Sequence, residues 1–151
     1  MDLWRISGFQ SLSGEGGLHY AGRWHHAGRR VVYLAESPAG ALIEALVHLE
    51  LNADTWPAGY ELMRVTAPGG IRIEAMQAPA GEGWRKTPAL SRALGDDWLR
   101  SKRTALARVP SAILPETWNV LLNPEHPAAR RVRIADVTRA EYDSRLLPKV
   151  R

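Results

Sequence analysis

The chain has 151 residues and a formal net charge of +4, a length suited to one domain that buries roughly two-thirds of its unfolded surface. It contains no cysteine, which excludes disulfides, thiolate metal sites and cysteine nucleophiles. No apolar run approaches the ~20 residues that span a bilayer, and the opening "MDLWRISGFQ" lacks the basic start and apolar stretch of a signal peptide, so a cytoplasmic location with no membrane contact is expected.

Nearly all the positive charge is arginine, since the lysines are Lys86, Lys102 and Lys149 alone. The guanidinium fork donates two hydrogen bonds at once and suits phosphates and carboxylates. This points to an anionic partner: nucleic acid, a phosphate-bearing metabolite or an acidic protein. Apart from the doublets Arg29-Arg30 and Arg130-Arg131, the arginines are scattered, as on a solvated basic surface.

Low-complexity segments and internal repeats are absent, and the Gly/Pro clusters have loop length, so a single domain over residues 1–151 is expected. Strands are predicted at Leu3–Ile6, Val31–Ala35, Tyr60–Val65 and Ile71–Ala75, from β-branched and aromatic content between turn residues. Ser37 as N-cap and Pro38 as first helical residue start a helix that should run to about Leu51. A second helical region is predicted from Pro88 to Leu106, capped by Thr87 and interrupted at Gly95, with Leu90, Leu94, Trp98 and Leu99 facing inward. Further strands are predicted at Ala112–Leu114, Val120–Leu122 and Val132–Ile134. Many strands, few helices and no regular alternation favour an α+β fold.

The first helix poses a chemical question. Leu42, Ile43, Ala45, Leu46, Val47 and Leu49 surround its axis, which predicts burial, yet Glu44 and His48 share one face a turn apart. A buried carboxylate without a partner costs several kcal/mol, on the order of 2–7 even for neutral polar groups. Glu44 therefore either pairs with His48 on a half-exposed face or lines a polar cleft. Metal ligation by His25, His26, His48 and Glu44 lacks a recognisable ligand signature such as H-E-x-x-H. The stretch "GEGGLHYAGRW" is glycine-rich but carries neither a dinucleotide-loop nor a Walker pattern, and reads as a flexible loop. Ser111 has no G-x-S-x-G elbow around it to make it a nucleophile, and Asn123 and His126 precede prolines as turn residues do.

Four separated segments then line up with a known family. "GRW" at 22–24, "VVYLAESPAGALIEALVH" at 31–48, "VPSAILPE" at 109–116 and "NVLLNPEHP" at 119–127 resemble the RES-domain family, over essentially the whole chain. These proteins are the toxin halves of bacterial toxin-antitoxin modules with Xre-like antitoxins. One departure is His25, where the family usually has asparagine.

The resemblance implies an α+β fold like that of ADP-ribosyltransferases: a mixed or largely antiparallel sheet with flanking helices. It also implies NAD as substrate, with no separate cofactor and no metal. Relatives of this kind cleave the nicotinamide-ribose bond by hydrolysis or phosphorolysis, and some ADP-ribosylate a protein. Matching places catalytic roles on Arg23, Tyr33, Glu44 and Ser111, and substrate-binding roles on Arg23, Tyr33, His48 and Asn119. Glu44 would stabilise charge on the ribose, Arg23 would hold the diphosphate, and Tyr33 would stack on nicotinamide or ribose. Ser111, His48 and Asn119 would orient Glu44 or the ribose. The partners implied are NAD and an Xre-like antitoxin, with DNA contact left to the antitoxin; a homodimer remains open. The alternatives are a protein ADP-ribosyltransferase and, from charge alone, a nucleic-acid-binding module, for which no motif or basic-aromatic alternation is present.

Overall fold

The computed structural model describes residues 1–49 and 57–146. Its frame is a seven-stranded sheet: β1 (Asp2–Ile6), β2 (Val32–Ala35), β3 (Gly59–Thr66), β4 (Ile73–Ala75), β5 (Leu106–Pro110), β6 (Trp118–Leu122) and β7 (Arg133–Glu141), in spatial order β4-β5-β6-β2-β1-β3-β7. All pairings are antiparallel except β4 with β5. Helices α1 (Gly16–His19), α2 (Pro38–His48) and α3 (Pro88–Ser101) accompany it, making the α+β fold with a mixed sheet that was expected.

Period-two alternation divides the core between the two faces of this sheet. Leu3, Val32, Leu34, Met63, Val65, Val120 and Leu122 belong to one buried cluster, which is aliphatic throughout. Trp24, Trp84, Trp98, Leu99, Ala107, Val109 and Leu121 form the other, with Tyr33 packed against it. The cross-strand row Val109, Asn119, Ala35, Trp4 continues this second face.

The start of α2 is as read: Ser37 Oγ accepts from Gly40 N at 2.9 Å and Pro38 opens the first turn. It ends at His48, with Leu49 extended as C-cap, rather than near 51, a position outside the described residues. Nor is it engulfed. Gly40 and Ala41 are buried, but Val47 is 59% exposed, so α2 lies along the sheet with one side open.

α3 corrects the sequence reading most. It runs unbroken through Gly95 and stops at Ser101, where Lys102 turns left-handed at φ 51°. Leu106 is then the first residue of β5, paired with Ile73 and Leu122. Thr87 stands at the N-cap without a side-chain cap hydrogen bond. Leu90 and Leu94 are exposed, and the inward residues are Ser91, Gly95, Trp98 and Leu99. The reason is the neighbour: the first turns of α3 meet a backbone rather than apolar side chains. A Cβ at Gly95 would lie 1.6 Å from Trp24 O, so glycine is there for contact and not as a break.

Three smaller differences follow from local hydrogen bonding. The strand expected over 112–114 is a turn, because Ser111 Oγ accepts from Ile113 N and Leu114 N. The strand expected over 132–134 extends to Glu141, paired along β3 with a bulge at Arg64/Val65. Part of the glycine-rich stretch forms the single turn α1.

Candidate functional site

Glu44 projects from α2 toward the second face and is held there by two residues from distant strands. Its Oε1 accepts from Asn119 Nδ2 at 2.8 Å and from Ser111 Oγ at 3.2 Å. Asn119 sits on β6 opposite Ala35. Ser111 follows β5 and continues the alternation of Ala107 and Val109. The Ser111 hydroxyl has its acceptor capacity taken by two backbone N–H groups, which sends its proton to the carboxylate. That bonding makes it an orienting group and not a nucleophile. Glu44 Oε2 accepts no hydrogen bond among the described residues. Asn119 Oδ1 is buried without a partner there, a cost of about 1–3 kcal/mol borne at the site.

The carboxylate borders a cavity of about 700 Å³ between α2 and the sheet, whose walls include Trp4, Tyr33, His48, Tyr60 and Asn119. Tyr60 packs on Tyr142 with ring centroids 4.7 Å apart. The self-contained Glu44–His48 pair is thus corrected: Glu44 is bonded to the strands, while His48 is exposed at the cavity wall.

Tyr33 joins this cavity to the loop that carries Arg23. Its hydroxyl accepts from Trp24 N at 3.0 Å and meets His25 Nδ1 at 2.8 Å. A Cβ at Gly22 would come within 2.4 Å of that hydroxyl, so the loop approaches because residue 22 is glycine. Burial pushes the Tyr33 phenol far up, opposed by Trp24 N–H and by the charges of Arg92 and Arg23. His25 is 2% exposed. Its Nε2 lies 3.2 Å from Gly17 O, and Gly22 N donates to Nδ1 at 3.2 Å. These contacts suit the Nε2–H tautomer, with Tyr33 donating to Nδ1. Burial first of all depresses the His25 pKa, against the bond to Gly17. The unusual residue after "GRW" is therefore a buried brace for the loop.

Arg23 itself stands outside the cavity, with Nη1 donating to Arg85 O at 3.0 Å. Tyr33, Glu44, His48, Ser111 and Asn119 come together in one place; Arg23 approaches from the hydroxyl end of Tyr33. The four groups weighed for a metal do not converge: His25 faces Tyr33 and Gly17, His26 pairs with Asp96 at 2.6 Å, and Glu44 binds the strands. Among the described residues no group of three or more His, Asp or Glu is placed to hold a metal ion, and no helix is long and apolar enough to cross a membrane.

Sequence reading overlooked Trp4 and Tyr60 in the cavity wall, and Ser91, Arg92 and Asp96, which hold the Arg23 loop. Small residues at 91 and 95, on the same helical face as Trp98, were the signal for a close approach there; none marked Arg92 or Asp96.

The site thus joins a carboxylate braced by an amide and a hydroxyl, over a mixed sheet, to a glycine-led arginine loop at the hydroxyl end of Tyr33. The RES domain family matches residues 2–143, and the chain belongs to this family of toxins. It is 46% identical over 149 residues, 97% of this chain and 99% of the relative, to a protein of Pseudomonas putida named "Toxin Res". It is 38% identical over 143 residues, 91% of this chain and 88% of the relative, to the "Prs ADP-ribosylating toxin" of a Sphingobium species. Among solved structures, a chain of the M. tuberculosis MbcT-MbcA toxin-antitoxin complex shares the fold with TM-score 0.69 at 16% identity, over 93% of this chain and 84% of that one.

Proposed function

We propose that this chain is the toxin of a toxin-antitoxin pair and that it consumes NAD by breaking the nicotinamide-ribose bond, through hydrolysis or phosphorolysis. The observation that carries the reading is the Glu44 carboxylate, fixed through one oxygen by Asn119 and Ser111 and bordering a cavity large enough for a nucleotide half. When the bond from nicotinamide to C1′ breaks, its electron pair leaves with nicotinamide and positive charge builds on the ribose. A preoriented carboxylate opposes that charge without having to reorganise. An oxygen of water or phosphate then bonds to C1′; with water, one proton is released to solvent.

In this reading NAD is the substrate, Tyr33 and His48 contact the nicotinamide ribose, and Arg23 takes the diphosphate. Ser111 and Asn119 position Glu44. The protein works in the cytoplasm without a further cofactor, and an Xre-like antitoxin both occupies it and contacts DNA. Incubating purified protein with NAD, with and without phosphate, tests the chemistry: nicotinamide release is expected, and its dependence on phosphate separates phosphorolysis from hydrolysis. No release under either condition overturns the proposal.

A second reading keeps the site and transfers ADP-ribose to a protein side chain. The name of the Sphingobium relative favours it. Label from NAD would then appear on a macromolecule at a rate matching nicotinamide release.

A further inference from the structure

Helix α3 grips the Arg23 loop residue by residue. Arg92 Nε donates to Gly22 O at 2.8 Å and Ser91 Oγ donates to Arg23 O at 2.6 Å. Gly95 admits Trp24 O, and Asp96 Oδ1 takes His26 N at 3.1 Å. Of these contacts only Arg92 brings a positive charge. The bond from Nε fixes the plane of its guanidinium and leaves both terminal amino groups without a hydrogen bond to the described residues.

The acid one turn from Arg92 spends its hydrogen bonds on another residue. Asp96 lies one helical turn on, but Oδ1 is on His26 N and Oδ2 on His26 Nδ1 at 2.6 Å. Among the described residues Arg23 likewise has no carboxylate partner; its Nη1 rests on the carbonyl of Arg85. Arg92 is bonded to the carbonyl of Gly22, the residue that abuts the Tyr33 hydroxyl, and Arg23 is the next residue along the loop. His25, packed against the same hydroxyl, is buried and held below its ordinary pKa, so it stays neutral. Asp96 acts on the same hydroxyl in the opposite sense to the two arginines, so one carboxylate stands against two guanidinium charges. Planar, fixed donors of this kind match a phosphate.

We propose that Arg92 and Arg23 form a two-arginine site for a phosphate group at the hydroxyl end of Tyr33. This deepens the reading of Arg23 as a diphosphate contact and rests on it. Two sources supply such a group: the diphosphate of a dinucleotide, and free inorganic phosphate.

Calorimetric titration of the purified protein with ADP, and separately with inorganic phosphate, distinguishes them. Arg92→Gln is expected to weaken ADP binding about tenfold to a hundredfold, whereas Arg100→Gln, which removes one charge from the exposed end of the same helix, leaves it within about twofold. Arg92→Lys keeps a charge but loses the planar fork and the anchor on Gly22; its ADP affinity should fall between those of the wild type and the glutamine variant. If the lysine variant is as weak as the glutamine variant, Arg92 is only a tether and the proposal fails. Loss of phosphate binding with ADP unchanged assigns the same two arginines to free phosphate. Unchanged binding of both in Arg92→Gln, or no binding of either by the wild type, overturns the proposal. Nicotinamide release by wild-type protein with Arg92-independent binding would sink this inference alone; Arg92-dependent binding without any release would sink only the proposed reaction.

Discussion

The two faces of the sheet are made of different materials. One is closed by Leu3, Val32, Leu34, Met63, Val65, Val120 and Leu122, aliphatic side chains that bury area and ask nothing of direction. The other packs Trp24, Trp84 and Trp98 among buried polar groups, His25, Ser91, Ser111 and Asn119, each committed to a specific donor or acceptor. The difference separates two tasks. Non-directional packing holds the strands together, while directional bonds on the opposite face aim a carboxylate and an arginine loop, at the expense of at least one acceptor, Asn119 Oδ1, left unpaired among the described residues.

Substitutions on the two faces should therefore fail in different ways. Glu44→Gln keeps size and removes charge; nicotinamide release should fall by on the order of 1000-fold with the melting temperature within a few degrees of wild type. Full activity in that variant would make Glu44 an ordinary hydrogen-bonded residue. Leu122→Ala, on the aliphatic face, should lower unfolding free energy in urea by about 2–5 kcal/mol while the folded fraction keeps its KM. A changed KM would mean that the faces are coupled. Ser111→Ala removes one donor to Glu44 and frees two backbone N–H groups, and kcat should drop about tenfold to a hundredfold, mostly with KM retained.

The smallest effect concerns pH. Burial keeps the folded His25 pKa below the unperturbed value of 6.5, so the unfolded chain takes up this proton first. The stabilising contribution is complete above about 6.5 and declines as the pH falls through that value toward the folded pKa. The urea midpoint at pH 5.5 should lie below that at pH 7.5, and His25→Asn should narrow the gap. An unaltered gap would show that His25 does not titrate on unfolding.

What the sequence disclosed depended on which atoms make the contact. α2 was legible at its start because Ser37 and Pro38 act locally, and Glu44 and Ser111 stood out in motifs whose chemistry resides in side chains. The inward face of α3 was misread because its partner is the backbone of residues 22–26. Such a partner selects Ser91 and Gly95, and an apolar period cannot register them. β5 was hidden because the reversal before it uses Lys102 at positive φ, with no glycine or proline to mark it. The expected strand over 112–114 failed because Ser111 draws two following N–H groups onto its hydroxyl, which closes a turn. That a helix holds the Arg23 loop, and residues of and after two strands hold Glu44, could not be read from the sequence.

The bonds that orient Glu44 span 75 residues to Asn119 and 67 to Ser111. α2 is complete long before either partner has been synthesised, and β6 can pair with β2 only after residue 122 has left the ribosome. A chain truncated or stalled anywhere before that point carries the glutamate but cannot aim it. If the proposed chemistry holds, no toxicity precedes the synthesis of β6, and that interval is open to a partner for assembly.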